Sequence, residues 1–190
     1  MDLDTLQREH KEWTVRNFGD LRSSVQGALG ICEESGELVH AVGFGNTAEV
    51  RDAIGDIMLF MMDYATLHSW LMSDILERFG HDGDLTTLTV PHVVAVRIVT
   101  VATREVAHAE LKMMQGIRGA RAVHVENARD ACGRIVGMLD LLSRLYGWEL
   151  EKIISETWAM VSQRNWKTDP HHGGNVELNE TPMTETYGRR

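Results

Sequence analysis

The chain has 190 residues, 43% of them hydrophobic, and a formal net charge of −9. That is enough for one domain, or two small intertwined units, with a real core. The acidic balance argues against a general nucleic-acid binder or an anionic-membrane binder, because those partners require a basic face. A small phosphorylated ligand held through a metal stays compatible with it. Cys32 and Cys132 form no CxxC or Cys/His zinc pattern and suit a reducing compartment. There is no signal-peptide pattern and no apolar run of membrane-spanning length, so the cytosol is the expected location.

Taken in order, the chain reads as helical almost throughout, and the expected fold class is all-α. Leu3, Leu6, His10, Trp13 and Phe18 recur at helical spacing and predict a first helix over 2–17. "NFGDLRSS" breaks it, and Ser23 or Ser24 can cap a second helix over about 24–42, which stops at "GFGN". Thr47 is the expected cap of a third, running through "AEVRDAIGDIMLFMMDYATLHSW", with a shorter helix near 73–79. "GHDGDLTTLTVP", residues 80–91, reads as a linker. Three more helices are expected at about 92–114, 122–145 and 149–163. The polar tail, 167–190, reads as extended or disordered.

The halves flanking the linker repeat. "RDAIGDIMLFMMDYATLHSW" aligns with "RDACGRIVGMLDLLSRLYGW", matching Arg51 with Arg129, Asp52 with Asp130, Gly55 with Gly133 and Trp70 with Trp148. "GELVHA" aligns with "REVAHA", residues 104–109. The expected organisation is therefore a unit over 1–79, the linker, and a related unit over 92–166, together one pseudo-dimeric bundle.

The first unit carries a dense acidic motif, "GICEESGELVHA". On a helix turning about 100° per residue, Glu33, Glu34 and Glu37 fall within an arc of about 100°. Asp52 and Asp56 are four apart and share a face of the next helix, and Asp56 is followed by the core-forming run "IMLFMM". Carboxylates converging from two helices repel unless protonated or bound to a cation. All-oxygen ligation suits Mg²⁺ or Mn²⁺. The alternative is a solvated acidic face. The Met-rich run 58–62 reads as core, and His40 and His108 as packed, hydrogen-bonded histidines.

"EESGEL", a short loop and "DAIGDI" resemble the EExxE…ExxD pattern of the MazG-like all-α nucleoside triphosphate pyrophosphohydrolases. "LQREHKEWTVRNFG" near the start and "TWAMVSQRNW" near the end resemble the phage and actinobacterial type of that superfamily, so the likeness covers most of the chain. It implies Mg²⁺-dependent hydrolysis of a (d)NTP to the monophosphate and pyrophosphate. It also implies dimeric sites, met here by a homodimer or by the two units of one chain. On this reading Glu34, Glu37 and Asp56 hold the metal, and Glu33 and Asp52 are further ligands or bases that orient water. Trp13, or Asn17 and Phe18, stack on or read the base, although Trp13 also suits a core position. Asp63 touches the sugar or closes an internal hydrogen-bond network. Arg164 and Lys167 are further cations that can reach phosphate from the C-terminal side.

The chain departs from the pattern at two places. Ala53 stands where the family has Glu, with Asp52 adjacent to substitute. The basic loop, similar to "LKxxQGIRG", occurs only in the second unit, where it places Lys112 and Arg118 as phosphate ligands. There Val101, Ala102 and Arg134 replace the equivalents of Glu33, Glu34 and Asp56, while Glu105 and Asp130 remain. The expectation is a division of labour: one unit keeps the carboxylates, the other the cationic loop. Ala53 and Arg134 also admit a catalytically weakened nucleotide-binding or regulatory relative. A purely structural helical module is the third reading.

Overall fold

The computed structural model describes residues 2–78 and 89–170. Among the described residues there is helix and no strand, and no helix is long and apolar enough to cross a membrane. Most of the expected linker and the tail from residue 171 onward lie outside the described residues.

Helix α1, Leu3–Phe18, is capped by Asp2, whose carboxylate accepts from the Asp4 amide at 3.1 Å and the Thr5 hydroxyl at 2.6 Å. Helix α2, Ser24–Phe44, is capped by Ser23 and ends on Gly45 in the left-handed conformation, φ +69°. The expected cap of α3, Thr47–Leu67, is corrected by one residue. Asn46 takes the role, accepting from the Glu49 amide at 3.3 Å, and Thr47 is already helical. Asn ranks above Thr at this position, and the turn needs only one residue after Gly45. Helix α4, Met72–Arg78, follows.

Pro91 opens α5, Pro91–Val101, from the first helical position, where its missing N–H costs nothing. The single helix expected here is continuous but contains a π-helical segment, Ala102–Val106, before α6, Ala107–Gln115. Thr103 helps mark it, donating its hydroxyl back to the Val99 carbonyl at 2.7 Å. Helices α7, Arg121–Leu145, and α8, Leu150–Val161, complete the described fold.

Two helical hairpins organise the bundle: α2 with α3, and α5–α6 with α7. They meet chiefly through α2 against α5, the π segment and α6. Helices α8 and α4 cross over, α8 packing on α3 and α4 on α7, while α1 packs on α3 and α4. The crossover is locked reciprocally: Arg51 lies over the Trp148 ring at 5.6 Å and Arg129 over the Trp70 ring at 5.9 Å. Arg51 also pairs with Glu156, and Arg129 with Asp74 at 2.8 Å. One core runs through the molecule, from Ile31 and Leu38 through Ile54, Ile57 and Met58 to Ile135 and Leu139, all fully buried. The Met run is core, as expected, with Met58, Met61 and Met62 at zero exposure. Buried Glu110 ties the hairpins together, accepting from Ser24 at 2.6 Å and Tyr64 at 3.0 Å, with His68 at 3.2 Å.

Candidate active site

Helices α2 and α3 approach closely because α2 has glycine where α3 is bulky. A Cβ on Gly27 would come within 3.0–3.1 Å of the Tyr64 backbone and Cβ, and one on Gly30 would overlap the Phe60 ring. This contact sets the acidic faces of the two helices side by side. Glu34 and Asp56 are half-buried, whereas Glu33, Glu37 and Asp52 are exposed.

The five carboxylates feel one another. Burial first, then Asp56, Glu37, Glu33 and Asp52, raise Glu34 to about 8. Burial, Asp52 and Glu37 raise Asp56 to about 6, against the opposing pull of Arg164. The expected convergence from two helices is therefore present. Among the described residues, no three His, Cys, Asp or Glu side chains form a closed ion-binding group. The donor chemistry nonetheless fits a hard divalent cation. The oxygens are carboxylate, five acids face only two arginines, Arg22 and Arg164, in the cavity beside them, and three of the five acid side chains are exposed.

Both inner carboxylates open into a cavity of about 490 Å³. Its apolar wall is largely aromatic, built from Trp13, Phe18, Phe60 and Trp166 with Leu59 and Val161. Trp13 meets Phe18 edge to face, centroids 5.8 Å apart. Its polar wall carries Arg22, Asp63 and Arg164 beside Glu34 and Asp56. An apolar chamber with a few convergent polar groups is the usual form of a small-molecule site. No protein-family model, curated protein or solved structure matches the chain. What the site can do follows from its residues.

The other expected site residues divide. Trp13 is 5% exposed and lines the cavity, so it is both core and wall. Its indole N–H donates to the Arg164 carbonyl at 3.0 Å. Asn17 does not line the cavity. It accepts from the Trp166 amide at 2.8 Å, so Trp13 and Asn17 together fasten the segment after α8 onto α1. Asp63 lines the cavity but is buried in an ion pair with Arg22, the internal-network alternative. Lys112 and Arg118 are not brought to the acids. Lys112 is 8% exposed and donates to Gln115 at 2.8 Å, and Arg118 lines a separate cavity. The cations beside the carboxylates are Arg22 and Arg164, one from each chain end of the described fold. Ala53 is buried at 4% exposure, while Asp52 faces solvent. Asp52 thus reaches the cluster from its rim, without taking the place a Glu at 53 would occupy.

His10 joins the site although its spacing marks it only as a helix-face residue. It is 4% exposed, lines the cavity, and its Nδ1 has no hydrogen-bond partner among the described residues. Burial and the nearby Arg22 charge lower its pKa to about 4, so the ring is neutral at physiological pH. The sequence does hold a signal: His10, Trp13 and Asn17 are spaced i, i+3, i+7 along one stripe of α1. Arg22 sits in a loop, where no periodicity points to it.

The raised pKa of Glu34 has a direct consequence for stability. Between its ordinary value of 4.5 and about 8, the folded chain holds a proton that the unfolded chain has lost. Glu34 therefore makes stability fall as pH rises through that window. In a chelator, Glu34→Gln is expected to raise the melting temperature by a few degrees at pH 8 and leave it unchanged near pH 4. An equal shift at both pH values would show that charge at Glu34 is not the cause.

Proposed function

We propose that the protein is a Mg²⁺-dependent nucleoside triphosphate pyrophosphohydrolase, converting a (d)NTP and water to the monophosphate and pyrophosphate. One juxtaposition carries the reading. Two half-buried carboxylates with raised pKa values, backed by three exposed ones, stand at the mouth of an aromatic cavity beside Arg164. The acidic end suits a metal-bound triphosphate and the aromatic end a base.

Bound Mg²⁺ would offset triphosphate charge and lower the pKa of an attacking water. Glu34, Glu37 and Asp56 would hold it, with Glu33 and Asp52 completing the shell or accepting the proton of the water. Glu33 or Asp52 would take the proton of a water attacking the α-phosphorus, as the bond to the α–β bridging oxygen broke and pyrophosphate left. Arg164, whose charge already reaches Asp56, offers a planar fork to phosphate oxygens as negative charge moves to the leaving group. Trp13 and Phe18 stack on the base. The open His10 Nδ1 exchanges a hydrogen bond with its edge, since a buried unpaired nitrogen is costly until something meets it. The two-unit, MazG-like arrangement belongs to the same proposal. Its support is the reciprocal seating of Arg51 on Trp148 and Arg129 on Trp70, as two related hairpins facing each other would give.

The test is pyrophosphate release from the common ribo- and deoxyribonucleoside triphosphates, with Mg²⁺ and with chelator. Turnover of at least one substrate, abolished by chelator, is expected. No release from any of them would sink the activity. The buried Ala53 favours one second reading, a relative that binds nucleotide without turning it over. It predicts nucleotide-dependent thermal stabilisation in the absence of hydrolysis.

A further inference from the structure

A second cavity, of about 510 Å³, lies along α7 against the π segment and α6. It is the repeat counterpart of the acidic site. Glu105, His108, Asp130 and Arg134 line it, and they stand in the second unit where Glu37, His40, Asp52 and Asp56 stand in the first. The chemistry is inverted. Arg134 stands where the first unit has the Asp56 carboxylate and pairs with Glu105, so a guanidinium sits where the first unit has an acid of the proposed metal site. Two more guanidiniums, Arg104 and Arg118, face the same space, and neither has an ion-pair partner among the described residues.

We propose that this cavity is a metal-independent binding site for a small polyphosphate anion such as pyrophosphate. Three arginines outnumber the two carboxylates, in a chain whose overall charge is −9. Planar forks converging on one space match phosphate oxygens, and no counter-ion is needed to bring them together. Asn127 adds a neutral donor from α7. The loop backbone is bent around Arg118, which is held at φ +61°, between Gly116 at +63° and Gly119 at +128°. A non-glycine residue in that region costs energy, and here the loop turns the residue toward the cavity. The lining contains no Phe, Tyr or Trp, in contrast to the acidic site. It offers phosphate ligands and no large aromatic wall, so the ligand is the phosphate part without a base. The basic loop therefore serves its own site and not the distant carboxylates.

The site does not depend on catalysis at the acidic cavity, and the experiment separates the two. Pyrophosphate is titrated calorimetrically into the whole protein, at low salt and in excess chelator. Saturable binding is expected, unchanged in the Glu34→Gln/Asp56→Asn double variant. Arg104→Ala and Arg118→Ala should each weaken it roughly tenfold, because each removes a charge-assisted contact. Both arginines are exposed, so helicity by circular dichroism should stay intact in the variants. Absence of saturable binding to the parent protein would overturn the proposal. So would binding that disappears with the acidic-site variants and ignores both arginine variants.

Discussion

Asp56→Asn and Glu34→Gln are each expected to lower (d)NTP turnover by about a thousandfold in saturating Mg²⁺, corresponding to several kcal/mol of lost charge stabilisation. Both substitutions keep side-chain shape and remove only charge. The two residues are the inner members of the cluster, half-buried at the cavity mouth, and each is raised by burial and then by like charges. Carboxylates held in mutual repulsion at a cavity mouth are candidates for binding a cation that would relieve it. The same substitutions should stabilise the metal-free protein at pH 8. Lost activity with gained stability separates a functional carboxylate from a structural one, whose removal would lower both. Full turnover by either variant would remove that residue from the proposed metal site.

Gly55→Ala is the second large effect, and it acts through packing. Gly55 precedes Asp56 on α3, directly beneath α8. A Cβ there would overlap Thr157, reaching within 2.7 Å of the Thr157 Cβ. Thr157 is 4% exposed and β-branched, so it cannot swing clear, and α8 must move. The expected cost is about 1–3 kcal/mol, read as a drop of about 2–4 °C in Tm for each kcal/mol. Arg164 and Trp166 follow α8 directly, so the acidic cavity should loosen with it and KM should rise. Thr157→Gly in the Gly55→Ala background should recover part of the loss; Thr157→Ala should recover less, because its Cβ remains in the way. Gly36, inside the acidic motif, is the control. Among the described residues nothing lies within 4 Å of a Cβ there, so Gly36→Ala should stabilise by about 0.5–1 kcal/mol, as alanine does in a helix interior. Equal effects of the two glycine substitutions would discount the close approach of α8.

The sequence by itself determined the all-helical class, the helix boundaries to within about three residues and the pairing of the acidic motif on α2 with Asp52 and Asp56 on α3. These are local matters. Apolar spacing, caps and glycine stops are written within a few residues, and two helices joined by the short turn at Gly45 and Asn46 have little choice but to lie side by side. The tertiary structure alone decided which cations serve which acids. Lys112 and Arg118 read as complements to the carboxylates because the loop after α2 carries no Lys or Arg and the basic loop of the resemblance occurs only in the second unit. Arg22 and Arg164, more than 140 residues apart, come to the cavity through Trp13 and Asn17, whose hydrogen bonds hold the segment after α8 against α1. The orphaned Nδ1 of His10, the burial of Ala53 and the pairing of Arg134 with Glu105 were hidden for the same reason. A charge's partner is set by distance and desolvation in the packed molecule, and spacing along the chain carries neither.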